Sequence, residues 1–366
     1  MADNVVSSPR LEAPPAPGPA PAPAQTAAAG RVARFARMRE LGILIAAVLL
    51  FVLLSTLTNK FLTSSNILNV ARSISLLAIV ACGMTYLFIT GELDLSVGAV
   101  YAMAAVVYGF LVASAHQAPP VALLVTLVFG GLAGLVNGLL TTKVGIPSFI
   151  VTLGMMSTVR GAALLASGGW PIPVNDASVW SNILGGSILL ANNRLALIGT
   201  TLTVPANAVQ LLIPVHILWM IVVLAIGGYI LAYSVYGYHA YATGGNKQAA
   251  RLTGINTDGV KIRAFILTGV LVALAASLLV AWLHSANPNT GLGFELDVIA
   301  AVIIGGTNLF GGAGSIFGTF LGAAITGMIT NGLVLLGASA FLEPVVKGLI
   351  IIGAVGLDIV IRRRQR

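Results

Sequence analysis

The stretch Tyr241–Arg263, YATGGNKQAARLTGINTDGVKIR, is a polar island between two long apolar runs. Its contrast with the rest of the chain decides the fold class, because 57% of the 366 residues are hydrophobic and only 8% are charged. The island carries Lys247, Arg251, Lys261 and Arg263, and basic segments between spans stay on the cytoplasmic side of a membrane. Gly244-Gly245-Asn246 forms a turn, Lys247 to Leu252 is compatible with a short helix, and Gly254-Ile255-Asn256 is a second break. A short basic helix between two breaks, held at the inner face by flanking spans, reads as a docking element. A solvated connecting loop has the same composition, and composition alone leans to the loop.

Outward from the island, apolar runs of about 18 residues or more recur, the length that crosses a bilayer as helix. Mean hydropathy is +0.98. Backbone groups in hydrocarbon must be satisfied within the chain, so the alternatives are a helical bundle or a closed barrel. Alternating ten-residue strands are absent, which leaves an all-α integral membrane protein. A net charge of +8 would suggest nucleic acid in a soluble protein. Here the basic residues flank spans, so topology explains them and no nucleic acid is implied. The single Cys82 lies in an apolar run and supplies no disulfide or metal framework.

Residues 1–30, with PPAPGPAPAPAQTAAAG, are too rich in proline for a helix and too poor in large apolar residues for a core. They read as a disordered cytoplasmic tail before a polytopic domain over 31–366. A cleaved signal peptide does not fit, because the basic cluster and apolar run follow this tail. About ten spans are expected, near 41–58, 67–90, 95–114, 120–141, 148–167, 213–235, 264–284, 296–310, 314–336 and 342–361. The eighth is short and glycine-rich, as a tilted, broken or re-entrant segment would be. With the N-terminus inside, Arg10, Arg31, Arg34, Arg37, Arg39, Lys143, the four island cations, Arg362, Arg363, Arg364 and Arg366 all fall inside. Only Lys60 and Arg194 fall outside, while Arg72, Arg160 and Lys347 lie in or near spans. The bias supports an even count and two cytoplasmic termini.

An internal repeat is also legible. Glu92-Leu93-Asp94 at the third span recurs as Glu295-Leu296-Asp297 at the eighth. Asn137-Gly138-Leu139 at the fourth recurs as Asn331-Gly332-Leu333 at the ninth. Both displacements equal about five spans, an odd number, which predicts two inverted repeats of five with the pathway at their interface.

The segments GELDLSVGAVYAMAA at 91–105, NGLLTTKVGIPSFIVTLGMM at 137–156 and YATGGNKQAARLTGIN at 241–256 carry a family resemblance. So do GFELDVIAAVIIGGTNLFGGAGSIFGTFLGA at 293–323 and NGLVLLG at 331–337. Together they resemble the membrane permease subunit of ribose/xylose/galactose-type ABC sugar importers, over about residues 65–358. Gly91-Glu92-Leu93 departs from the Gly-Ile or Gly-Gly-Ile that often precedes Asp-Leu-Ser in that family. The resemblance implies a homodimer in the bacterial inner membrane, docked on ATP-binding cassette ATPase subunits and fed a sugar by a periplasmic binding protein. It implies a coupling loop over 236–263, with Gly244, Gly245, Asn246, Lys247, Arg251, Gly254 and Asn256 in the coupling region. ATP and magnesium would be bound by the partner ATPase. No Gly-Lys dipeptide occurs, so no phosphate loop of the GxxxxGK[ST] type is present and this subunit is not expected to be an enzyme.

Glu92, Asp94, Glu295 and Asp297 lie at span ends, where charge is costly enough to suggest gating or sugar contact. Asp94 and Asp297 also read as helix N-caps, and structural capping or ion pairing is the favoured role for these acids. Arg160 needs a partner, with one of the carboxylates or a helix C-terminus as the candidate. Asn137, Thr141, Thr152, Thr326, Thr330 and Asn331 are polar groups available to a translocation pathway. For each of them a bond to helix backbone is the blander role. Gly314, Gly318 and Gly322 recur along one face as close-packing positions. The four histidines lack metal spacing, and no metal site or catalytic residue is expected. The loop 168–212, with Trp170 and Trp180, is the largest external one and a candidate contact for the delivering protein.

Two other functions stay open from residues alone. One is an ABC permease for branched-chain amino acids or another small polar solute. The other is a secondary transporter driven by an ion gradient, which inverted repeats would suit but in which a basic, glycine-bounded loop has no evident purpose.

Overall fold

The computed structural model describes residues 25–176, 178–191, 194–198, 211–339 and 342–363. By its internal contacts the chain divides into Met1–Arg39 and Glu40–Arg366. Of the expected tail, residues 1–24 lie outside the described residues, and the proline-free end from Gln25 is helical.

The helices are α1 (Gln25–Leu57), α2 (Ser64–Ile89), α3 (Val97–Ala113), α4 (Pro119–Leu139), α5 (Ser148–Ser167), α6 (Val179–Gly185) and α7 (Val215–Tyr233). They continue as α8 (Val235–Gly245), α9 (Lys247–Leu252), α10 (Thr257–Leu283), α11 (Phe294–Ile304), α12 (Ile316–Leu335) and α13 (Leu342–Arg363). The expected spans overlap α1 to α5, α7 and α10 to α13, with ends that differ by several residues. Among the described residues, seven helices are long and apolar enough to cross a membrane, and Val97–Ala113 is a shorter apolar one.

The eighth expected span is the clearest departure. Its helix, α11, has 11 residues, about 16 Å at the α-helical rise, and stops at Ile304 rather than reaching residue 310. Gly305-Gly306 ends it, with Gly306 at φ +86, and Asn308 closes a turn by accepting from Phe310 N at 2.9 Å.

α10 and α2 are the most buried of the long helices. Beyond Arg263 α10 carries no charge and is apolar all round apart from Thr268 and Ser277, as a helix surrounded by others must be. It packs on α4, α2 and α3, while α12 packs on α2 and α11. α4 approaches α10 closely because Gly130, Gly134 and Gly138 line the contact. A β-carbon on Gly134 would overlap Phe265 O and lie 3.0 Å from Ile266 Cα, and one on Gly138 would lie 3.0 Å from Ile262 Cα. Gly318 and Gly322 do the same on α12, against Gly305 and Ala301 of α11. Gly314 precedes α12 and faces the Thr307 side chain instead.

The described residues of the expected external loop 168–212, with the two that follow it, are partly ordered into helix and strands. They hold α6, capped by Ser178, and the antiparallel strands β2 (Ser187–Ala191), β3 (Arg194–Ile198) and β4 (Leu211–Pro214), with β2 central. β1 (Ile172–Pro173) pairs with β5 (Ser285–Ala286) and ties the end of α5 to the end of α10.

Candidate functional site

The polar island folds as two short helices leading into α10. Asn246 caps α9, its Oδ1 accepting from Ala249 N at 3.0 Å, and Asn256 caps α10 by accepting from Gly259 N at 2.9 Å. Gly254 holds φ +86, which leaves the turn between the two caps to glycine. α9 buries only Ala250.

Gly244 sets the position of this element. A β-carbon there would overlap Ile89 O and stand 2.7 Å from Gly312 N, so the backbone of α8 lies directly on the end of α2. Gly312 N donates to Ile89 O at 2.9 Å, and Tyr241 Oη donates to Gly314 O at 2.7 Å. The end of α2, the α8–α9 junction and the 305–315 turn therefore form one backbone-to-backbone joint. Gly245, next in sequence, is exposed with open space where a side chain would be.

The island's charges converge on an acid that sequence reasoning passed over. Asp258, in the first turn of α10, accepts from Arg251 Nη2 at 2.7 Å, with Lys143 and Lys247 each at 3.9 Å. Arg251 Nε also donates to Thr257 Oγ1 at 2.9 Å. Arg251 thus braces α9 on α10, and Lys143 brings in the π-helical turn that ends α4. Partial burial, followed by the like charges of Lys261 and Arg251, holds the Lys247 ammonium below the ordinary lysine range. The overlooked signal was a lone aspartate in a basic stretch, where a helix N-terminus favours an acid.

Four of the tentative pathway residues occupy polar contacts near this joint or between helix ends. Glu92 pairs with Lys261 of α10, both side chains largely buried. Asp94 is buried but does not cap α3. Its Oδ1 accepts from Ser96 N at 2.7 Å and Ser96 Oγ at 2.6 Å, because the chain turns two residues before the helix begins. Asn137 of α4 donates to Asp94 Oδ2 at 3.2 Å and to Ser96 Oγ at 3.0 Å, while its own buried Oδ1 has no partner. Asn331 is elsewhere, in a reciprocal amide pair with Asn66 of α2 at 2.8 and 3.1 Å.

The other acidic pair is divided between two helices. Asp297 lies within the first turn of α11, past the cap position that Gly293 holds, and pairs with Lys347 of α13 at 2.6 Å. Glu295 covers the start of α3, where a β-carbon on Gly98 would overlap its Oε2. Arg160 takes neither a carboxylate nor a helix C-terminus as its hydrogen-bond partner. It donates to Pro288 O and Thr290 O at 2.9 Å and to Gly98 O at 3.2 Å, because the turn after α10 aims its carbonyls at α5. Thr152 and Thr326 donate to carbonyls one turn back in their own helices, at 2.9 Å each. Thr141 Oγ1 is buried without a partner.

A family model described as branched-chain amino acid transport system / permease component matches residues 66–355. The chain belongs to this permease family. The permease is 38% identical over 322 residues to the ribose import permease protein RbsC of Bacillus subtilis (strain 168), spanning 88% of this chain and 93% of that protein. It is 38% identical over 339 residues to RbsC of Escherichia coli (strain K12), spanning 91% and 98%. It is 32% identical over 327 residues to the autoinducer 2 import system permease protein LsrC of Photorhabdus luminescens, spanning 87% and 89%. No solved structure matches the permease. Family membership and the apolar helices make it a multi-pass inner-membrane permease subunit.

Proposed function

We propose that this permease forms the translocation pathway of an ATP-driven importer for a monosaccharide of the ribose type. The likeness to ribose import permeases along nearly the whole chain carries this reading. A branched-chain amino acid substrate rests only on the family's description, and the relatives named for ribose and autoinducer 2 do not favour it. In this reading two copies of the permease pair, a separate subunit binds ATP and magnesium, and a periplasmic protein delivers the sugar. α8 and α9 face the cytoplasm, in keeping with Lys143, Lys247, Arg251 and Lys261 gathered at that end. Both termini are then cytoplasmic, across about ten spans in two inverted halves. Matched packing supports the inversion: α3 contacts α4 and α5, as α11 contacts α12 and α13, and α10 contacts α4 as α2 contacts α12.

The joint at Gly244 would carry motion from the ATP-hydrolysing subunit to α2 and the 305–315 turn. The test is uptake of labelled ribose, xylose, galactose and leucine into vesicles holding the permease, its ATPase and its binding protein. Sugar uptake that needs all three components and ATP is the expected result. Uptake by the permease alone under a proton or sodium gradient, or uptake of leucine only, would overturn it.

A further inference from the structure

Arg72 of α2 stands apart from the other cations set among the helices. Lys261 and Lys347 each meet a carboxylate and Arg160 meets three carbonyls, whereas among the described residues no carboxylate pairs with Arg72. Its two hydrogen bonds are long and go to neutral oxygens, from Nη1 to Asn69 Oδ1 at 3.2 Å and from Nη2 to Ser187 Oγ at 3.3 Å. The guanidinium lies 5.3 Å from the centroid of the Trp282 ring, which His216 in turn meets edge-on. A ring face and two neutral oxygens leave this half-buried charge unbalanced, so its counter-ion comes from outside the chain.

Position selects that counter-ion. α2 has 26 residues, about 39 Å, and outruns a hydrocarbon core of about 30 Å. Arg72 comes about 12 Å after Ser64, near the end of α2 that lies away from the Gly244 joint. Side chains on a helix lean toward its N-terminus, and the bond to Asn69 shows the guanidinium turned that way, toward the lipid–water boundary. That bond lies at the surface, open to a ligand. Ser65, Asn69 and Ser73 are exposed at four-residue intervals along the same stretch of α2. Acyl chains offer such groups no partner, but phosphate oxygens do.

We propose that Arg72 and Asn69 bind the phosphate of an anionic phospholipid, with Ser65 and Ser73 beside it and Trp282 as the platform for the guanidinium. The phosphate brings the missing negative charge and accepts in the forked geometry that arginine offers. Asn69 Nδ2 supplies a further donor. A lipid held there fastens the start of α2, to which β2 and the end of α10 are already joined. Both leaflets carry phosphate, so the site stands whichever way the chain crosses the bilayer and whatever it transports.

The test is native mass spectrometry and thermal unfolding of the full-length permease, delipidated in detergent and titrated with phosphatidylglycerol, phosphatidylethanolamine or inorganic phosphate. The parent is expected to bind one phosphatidylglycerol at least about fivefold more tightly than phosphatidylethanolamine, and to unfold at a higher temperature with it. Arg72→Gln is expected to weaken the site at least about tenfold and erase the preference, and Arg72→Lys to weaken it less. Asn69→Ala with Ser73→Ala changes only exposed side chains, and a loss of about threefold or more is expected even where Arg72→Gln fails to fold. Parent affinity in Arg72→Gln or in the double alanine variant overturns the site, as does a parent that does not distinguish the two lipids. Stabilisation by inorganic phosphate equal to that by phosphatidylglycerol assigns a free anion and overturns the lipid. Ser65→Cys that cross-links between two copies would assign the face to a dimer contact, which also overturns it.

Discussion

Lys261 of α10 and Glu92, three residues past the end of α2, form an ion pair whose side chains are only 8% and 13% exposed. The pair joins a central helix to the segment that leads into α3, one turn away from the joint at Gly244. A buried charge left without its partner is costly, about 3–5 kcal/mol, whereas removing both charges together costs far less. Glu92→Gln alone is expected to lower the thermal unfolding midpoint of the purified permease, and Glu92→Gln with Lys261→Gln to recover most of the loss. A double variant no more stable than the single one would show that the pair is not coupled.

The neighbouring glycines that end α8 should respond in opposite ways. Gly244→Ala pushes a methyl group into Ile89 O and against Gly312 N, so it must part α8 from α2. The expected phenotype is a permease that inserts and binds its ATPase but takes up sugar poorly for each ATP hydrolysed. Gly245→Ala meets nothing within 4 Å and should couple normally. Equal behaviour of the two variants in reconstituted vesicles would discount the joint.

Arg160 ties the turn after β5, through the carbonyls of Pro288 and Thr290, to the start of α3, through that of Gly98, and no other residue type reproduces that fork of donors. Arg160→Lys keeps the charge but can reach fewer of the acceptors. Hydrogen bonds from a charged donor are worth about 1.5–3 kcal/mol each. Arg160→Lys is therefore expected to lower the unfolding midpoint by several degrees, and an unchanged midpoint would argue that solvent replaces the fork without cost.

The α4–α10 contact depends on glycine in a way that α5 does not. Gly134→Ala would overlap the α10 backbone at Phe265 and force the two helices apart, while Gly154→Ala on α5 enters open space. Gly134→Ala should reduce the amount of folded permease recovered from membranes, and Gly154→Ala should leave it near the parent level. Comparable yields would mean that α4 can shift on α10 without penalty.

The positions of the long helices were legible in the chain because membrane-spanning length and apolarity are local properties that any window of residues reports. α9 and its breaks were legible for a related reason. Asn246 and Asn256 act through bonds to residues three positions away, and Gly254 through its own backbone angle, all within reach of sequence spacing. The family motifs were likewise continuous strings.

Partners distant in sequence were decided by the tertiary structure. Asp258 gathers Lys143 from a turn more than a hundred residues earlier, and Arg160 meets carbonyls at Pro288 and Thr290. A carbonyl belongs to every residue, so composition cannot mark which one will serve as acceptor. The roles of the acids separated for the same reason. Asp94 turned to Ser96 and Asn137, Glu92 to Lys261, and Asp297 to Lys347, although the repeated Glu-Leu-Asp strings look alike. By itself the sequence determined a bundle of apolar helices with a short basic helix between two breaks, since bilayer length and local capping are written residue by residue. Packing alone decided which charges meet, because that outcome depends on which helix faces which.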